Sequence, residues 1–395
     1  MALSANPANT MTLPVPNADA LDHSRQLTRR IAADISAAGG WIPFSRFMEQ
    51  ALYAPGLGYY SGGAHKFGAA GDFITAPELT PAFARTLAAQ AMQVMAASRP
   101  QILEAGAGSG RLATDLMLEL ESRAALPTHY FILELSGELR ERQRASLAAD
   151  AAHLLDRVVW LDRLPAHFDG LVLANELLDA LPAELVRWHD DAIAERGVGV
   201  EDGRFVWVER AASGAVRDRA LELAAEGMPR GGYLSEIGLA ASAWTASWGD
   251  ILGCGALLLI DYGFPRREFY HPQRNEGTLM CHYRHRAHPD PFYLPGLQDI
   301  TVHVDFTAVA EAGTAAGLDF LGYTAQSAFL FNCGLTGVVS RTPADDPRRY
   351  LPLANAVQKL ISPAEMGELF KVIALGRGID EPLLGFVSGD RSAML

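Results

Sequence analysis

The stretch "ILEAGAGSGRLA", residues 102–113, constrains this chain more than any other. An apolar run ends at Glu104-Ala105, glycines follow at Gly106, Gly108 and Gly110, and a helical pattern opens at Arg111. Glycine tolerates the positive φ angles of a sharp strand-to-helix turn and lets a ligand approach without meeting a Cβ. The helix that follows presents N–H groups with no partner of their own. Strand, bare turn and helix in this order open an α/β fold whose ligands bind beyond the carboxyl ends of its strands.

The alternation continues. Apolar runs at 101–105, 130–135, 157–161, 170–174, 255–260, 318–324 and 370–375 read as seven strands, with helical periodicity at 111–124 and 138–149. The expected class is therefore α/β: a Rossmann-like seven-stranded sheet with helical and loop insertions. Residues 1–23, with Pro7, Pro14 and Pro16, read as a disordered tail, and 24–84 as a helical and lid segment. The core spans 85–265 and includes a β excursion at about 183–232 with a turn signal at Glu201-Asp202-Gly203. Residues 235–252 read as a helix. Residues 266–395 read as loop-rich and helical insertions plus the last core strands.

With 395 residues and 49% hydrophobic content, the chain can bury a sizeable core. Its net charge of −13 repels phosphate backbones, which argues against nucleic acid as a partner. It suits a cationic substrate or serves solubility alone. The cysteines Cys254, Cys281 and Cys333 form no disulfide or CxxC framework. The first 24 residues hold no Lys or Arg, so no secretory or transit signal is read, and the expected compartment is the cytoplasm. No apolar run is long enough to span a membrane.

The glycine run separates two cofactor classes. A dinucleotide site wants G-x-G-x-x-G. Here the third glycine comes one position early, and Glu104 suits a pyrophosphate poorly. An acid there suits S-adenosylmethionine, which carries a sulfonium and an ammonium. The pattern E-x-G-x-G-x-G resembles the first motif of class I methyltransferases. Glu134, 24 residues after Gly110, can take the ribose hydroxyls, or it is a helix-start acid. Asp162 can meet the adenine amino group with Leu161 against the ring, or it is a loop acid.

"ANELLDALP" places Asn175, Glu176 and Asp179 after the fourth strand, and "IDYG" adds Asp261 after the fifth. Glu176 and Asp179, three apart, can clamp a guanidinium, or they serve a helix start. "GDFITAPE" holds Asp72, Thr75 and Glu78 in a segment that reads as a cofactor lid or a surface turn. His282, His285 and His288 lack a matching ligand set, so no metal is expected. His303 alternates with apolar residues as in a strand and reads as a general base or a structural histidine.

Ten segments then carry a resemblance: "ALYAPGLGYY", "GDFITAPELTPAF", "EAGAGSGRLA", "FILELSGELRERQ", "ANELLDALP", "IDYGF", "GTL", "DITVHVDF", "AQSAFL" and "MGELFKVIALGRG". Together they resemble the MidA family of S-adenosylmethionine-dependent methyltransferases over about residues 42–378. The resemblance implies cofactor contacts at Gly106, Gly108, Gly110 and Glu134, and the "GDFITAPE" segment beside the cofactor. It also implies methylation of a protein arginine on a respiratory complex I subunit. The alternatives are a small-molecule methyltransferase and a non-catalytic assembly factor that binds the cofactor.

Overall fold

The computed structural model describes residues 13–62, 75–227 and 231–395. Seven core strands run through it: β1 Gln101–Ala105, β2 His129–Leu133, β3 Val158–Leu161, β4 Phe168–Asn175, β5 Leu252–Phe264, β6 Asp319–Ala325 and β7 Phe370–Arg377. Their order is β6-β7-β5-β4-β1-β2-β3. Only β7 runs against its neighbours. A two-residue strand, Val304–Asp305, adds to the end of β5. The run Leu171-Val172-Leu173-Ala174 and the run Leu257-Leu258-Leu259-Ile260 are buried at every position. Alternation is lost there because both faces of the sheet are covered.

The principal helices are α1 Ala18–Ala37, α2 Phe44–Tyr53, α3 Pro81–Ala97, α4 Arg111–Ser122, α5 Gly137–Asp150, α6 Leu239–Ile251 and α7 Phe306–Ala315. Phe83 and Leu87 of α3 and Leu116 and Leu120 of α4 share one core with Ile102, Leu171 and Leu258. On the opposite face, Trp248 of α6 and Phe306 and Val309 of α7 share another with Leu103, Val172 and Leu257. Truncating one such leucine to alanine costs about 2–5 kcal/mol. The chain leaves β1 toward β2 and β3, then returns to β4 on the other side. The crevice opens where the strand order reverses, beyond the carboxyl ends of β1 and β4.

A second sheet covers that end. Strands 184–188, 193–201, 204–211 and 233–237 form it with Ile42–Pro43, and α1 and α2 pack on it through Leu27, Ile31, Phe47 and Leu52. Several elements depart from the sequence reading. The helix α1 starts at Ala18, inside the expected tail, because the Asn17 side chain caps the Ala20 N–H. Residues 233–237 are a strand paired with Glu184–Trp188, so the expected helix at 235–252 begins only at Leu239. The stretch after 266, expected to be loop-rich and helical before the last core strands, contains a three-stranded sheet of Met280–Tyr283, Arg286–His288 and Asp299–Thr301. His303 sits between two short strands, not within one.

Candidate active site

The glycine turn has the backbone its sequence calls for: Gly106, Gly108 and Gly110 have φ of 70°, 52° and 82°. The turn is pinned at both ends, by Gly106 N donating to Leu133 O at 3.1 Å and Gly110 N to Ala107 O at 2.8 Å. A Cβ at Gly110 would stand 3.0 Å from the Gln143 Cα, so a side chain there would crowd α5 as well as strain the backbone.

Glu134 follows β2 at the mouth of the crevice. One of its oxygens accepts from Ser136 N at 2.9 Å and the other from Gln143 Nε2 at 3.1 Å. The carboxylate is thereby held in one orientation before any ligand arrives. Burial raises its pKa above the ordinary range, and these two bonds pull against that rise. Glu104 is placed differently. It is buried under the turn, and its Oε2 accepts from the Tyr130 hydroxyl at 2.7 Å. Burial pushes its carboxyl up to about 7. Leu161 is half-buried and Asp162 exposed at the end of β3.

Sequence reasoning missed Gln143, the residue that joins these parts. Fully buried on α5, it donates to Gly108 O and to Glu134 Oε2, each at 3.1 Å, and accepts from Trp160 Nε1 at 2.9 Å. It is the last letter of "FILELSGELRERQ". Leu135 was also passed over as a site residue. It is 76% exposed beside Glu134, an apolar surface offered to solvent at the crevice.

Thr75 precedes a short helix, Ala76–Leu79, that lies on the crevice. Glu78 of this helix accepts from the Ser109 hydroxyl on the glycine turn. At the helix's other end, Ala76 N donates to Glu176 Oε1 at 3.4 Å. The segment thus touches both the glycine turn and the acidic cluster. Asp72 lies outside the described residues.

The acidic cluster is built from distant pieces. Glu176 has φ of 52°, an uncommon conformation for a residue with a side chain. Its N–H donates to Ile260 O at 2.9 Å, and its Oε1 accepts from Asn175 Nδ2 at 3.1 Å. Burial, then the charge of Asp179, pushes its carboxyl up to about 8. Asp179 is buried, accepts from the Tyr262 hydroxyl at 2.5 Å, and is pushed by burial to about 6. The Asn175 Oδ1 and Asp179 Oδ1 are buried without a hydrogen-bond partner.

Asp261 has another job. Its Oδ2 accepts from Leu178 N at 2.9 Å and Asp179 N at 3.3 Å, and its Oδ1 from Tyr262 N at 2.9 Å. Three backbone donors occupy it, so it folds the 176–179 turn and positions Asp179 instead of reaching a ligand. Burial, then Asp179 and Glu176, raise its pKa.

Two tyrosines and a third acid complete the cluster. Tyr53 and Tyr60 stack with ring centroids 5.5 Å apart. Tyr53 donates to Ala180 O at 2.8 Å and Tyr60 to Asp299 Oδ1 at 3.0 Å. Asp299 is buried, and no site role was read for it from sequence. His303 rests edge-on to Tyr262 at 5.1 Å. Burial and the nearby Arg274 and Lys371 lower its pKa to about 4, so it is a neutral packing residue at neutral pH. Asp305, from the same stretch, caps α7 through Thr307 N and Ala308 N. Among the described residues no group of three or more His, Cys, Asp or Glu is placed to hold a metal ion, and no helix is long and apolar enough to cross a membrane.

A sheet of this order, parallel except for β7, with a glycine turn after β1 and a fixed acid after β2, defines a class I S-adenosylmethionine-dependent methyltransferase. The chain belongs to the family described as "Putative S-adenosyl-L-methionine-dependent methyltransferase", whose model matches residues 82–324. A protein from Burkholderia thailandensis, solved bound to S-adenosyl-homocysteine, is 52% identical to it. That structure superposes with a TM-score of 0.94 and covers 97% of this chain and 100% of its own. Among curated relatives, the protein arginine methyltransferase NDUFAF7 of Danio rerio is 25% identical over 89% of this chain and 87% of its own length. The Drosophila melanogaster homologue of that enzyme is 27% identical over 91% and 88%. The cofactor is S-adenosyl-L-methionine. The site fits it: a left-handed glycine turn in which a Cβ at Gly110 would crowd Gln143, and an oriented acid at Glu134.

Proposed function

We propose that this enzyme methylates an arginine side chain of a protein, and that the carboxylates of Glu176 and Asp179 hold the guanidinium. The observation that carries this is the excess of acceptors in the cluster. Asp179 Oδ1 and Asn175 Oδ1 have no donor, and Glu176 and Asp299 stand in the same neighbourhood. A buried acceptor left unpaired costs about 1–3 kcal/mol, so the cluster favours a ligand rich in donors. A guanidinium has five N–H donors and no acceptor, and it meets carboxylates in a planar fork. The name of the NDUFAF7 relatives supports the same class of acceptor.

In this reading, Gly106, Gly108 and Gly110 approach the cofactor through their backbone, Glu134 takes the ribose hydroxyls, and Leu135 and Leu161 offer apolar contact. Asp162 is placed at the adenine edge, while Glu104 acts from beneath the turn. Thr75 belongs to the covering segment. When bound, the cofactor supplies an electrophilic methyl group on a sulfonium. The protein's share is alignment and charge. Glu176 orients one guanidinium nitrogen, and Asp179 Oδ1 receives the proton that the nitrogen sheds. Asp261 and Tyr262 keep Asp179 in place.

The resemblance to the MidA family points to a respiratory complex I subunit as the protein acceptor. Mass spectrometry of those subunits, with and without the gene, tests this. One arginine methylation present only with the gene is the expected result, and an unchanged set of modifications rejects the acceptor. A peptide assay with arginine or lysine at the same position tests the chemistry, with methyl transfer expected to arginine alone.

A further inference from the structure

Away from the glycine turn, a cavity of about 350 Å³ opens where β5 and β6 end and β7 begins, large enough for a small molecule. Lys371 at the start of β7 lines it, and it pairs across the sheet with Asp261. Its side chain is 4% exposed. The ammonium donates to two backbone carbonyls, Glu368 O and Leu369 O, the second at 3.3 Å. Among the described residues no carboxylate comes within ion-pair distance of it. A buried cation with no carboxylate in direct contact is costly, and Glu368 and Glu268 act on this one only at longer range. Burial accordingly pulls its pKa down to about 8.

Tyr323 lines the same cavity and is fully buried, with a hydroxyl that has no partner. On the rest of the polar wall, Arg391 pairs with Glu368 at 2.7 Å, and Glu268 is the second carboxylate. The apolar wall includes Phe264, Leu369 and Met394.

We propose that this cavity is a second binding site, for a small monocarboxylate with an apolar body. The carboxylate supplies the direct ion pair that Lys371 lacks among the described residues and the acceptor the Tyr323 hydroxyl lacks, and a charge-assisted bond to an ammonium is among the stronger ones. The body lies against Phe264, Leu369 and Met394. A dianion is disfavoured, because Glu268 and Glu368 also line the cavity. The site is independent of which acceptor the enzyme methylates.

Hexanoate is the probe. It is titrated by calorimetry into the full chain saturated with S-adenosylhomocysteine, so that the cofactor crevice is filled. Saturable binding is expected. Lys371→Met, which fills the buried position with an apolar chain, weakens it at least about tenfold. Tyr323→Phe weakens it about three- to tenfold. Hexanol, with the same body and no charge, binds at least about tenfold more weakly than hexanoate. Absence of hexanoate binding overturns the proposal, as does equal binding of acid and alcohol. Should Lys371→Met fail to fold, an unchanged affinity in Tyr323→Phe together with equal binding of hexanol overturns it as well.

Discussion

The cofactor edge and the acceptor edge of this crevice are assembled in opposite ways. The cofactor edge is local. Gly106, Gly108, Gly110, Glu134 and Gln143 come from fewer than forty consecutive residues, and their hydrogen bonds close on one another. The acceptor edge is collected from Tyr53 and Tyr60, from Glu176 and Asp179, from Tyr262 and from Asp299. It holds acceptors without donors, and its Glu176 and Asp179 carboxyls are raised. One edge is satisfied as it stands, and the other is held in want of a cation. Satisfied networks rigidify a site, whereas unpaired buried groups mark where a ligand must complete it.

The difference should first show as pH dependence. Glu176, raised to about 8 by burial and Asp179, is protonated below that pH, so the clamp for a cation assembles only as pH rises. The kcat/KM for an arginine peptide should therefore climb about 50-fold from pH 6 to pH 8, well beyond any change in S-adenosylhomocysteine affinity that Glu104, raised to about 7, produces over the same range. Stability should move the other way. A carboxyl raised on folding favours the fold at low pH, and that contribution fades as pH rises from the ordinary glutamate range through 8. Thermal denaturation across the same range checks the sign.

Asp261→Ala should break the acceptor edge through its backbone. It leaves Leu178 N, Asp179 N and Tyr262 N without their acceptor. Denaturant unfolding should show a loss of about 2–4 kcal/mol. A loss under about 0.5 kcal/mol would deny its positioning role. Gln143→Ala should loosen only the cofactor edge, raising the KM for S-adenosylmethionine about tenfold with kcat little changed. Trp160, which loses its partner, reports the change by fluorescence. Asp162→Ala should do least. The side chain is exposed, and its removal should raise the cofactor KM no more than about threefold.

The same contrast decides what was legible in the sequence. The glycine turn, the seven strands and Glu134 could be read because each depends on residues within one or two elements. Gln143 was overlooked although it ends a recognised segment, since nothing local says that a helix glutamine turns back to Gly108. Asp261 was read as a site acid because its residue type and strand end fit, but its three backbone donors come from the fold. Asp299 was passed over because its partner Tyr60 lies 239 residues away. Residues 235–237, the end of the strand 233–237, were read as helix because Ile237, Ala241, Trp244 and Trp248 keep a helical spacing. Only pairing with 184–188 makes them extended.

The separation of the two edges is tested most directly by Glu176→Gln, with two readouts on one preparation. Calorimetry with S-adenosylhomocysteine should give an affinity within about twofold of the parent, because no bond to Glu134 or the glycine turn is touched. Methyl transfer to the arginine peptide should fall about 100- to 1,000-fold, because the amide cannot hold the cation. Undiminished transfer by this variant, or a cofactor affinity that collapses with the activity, would contradict the account.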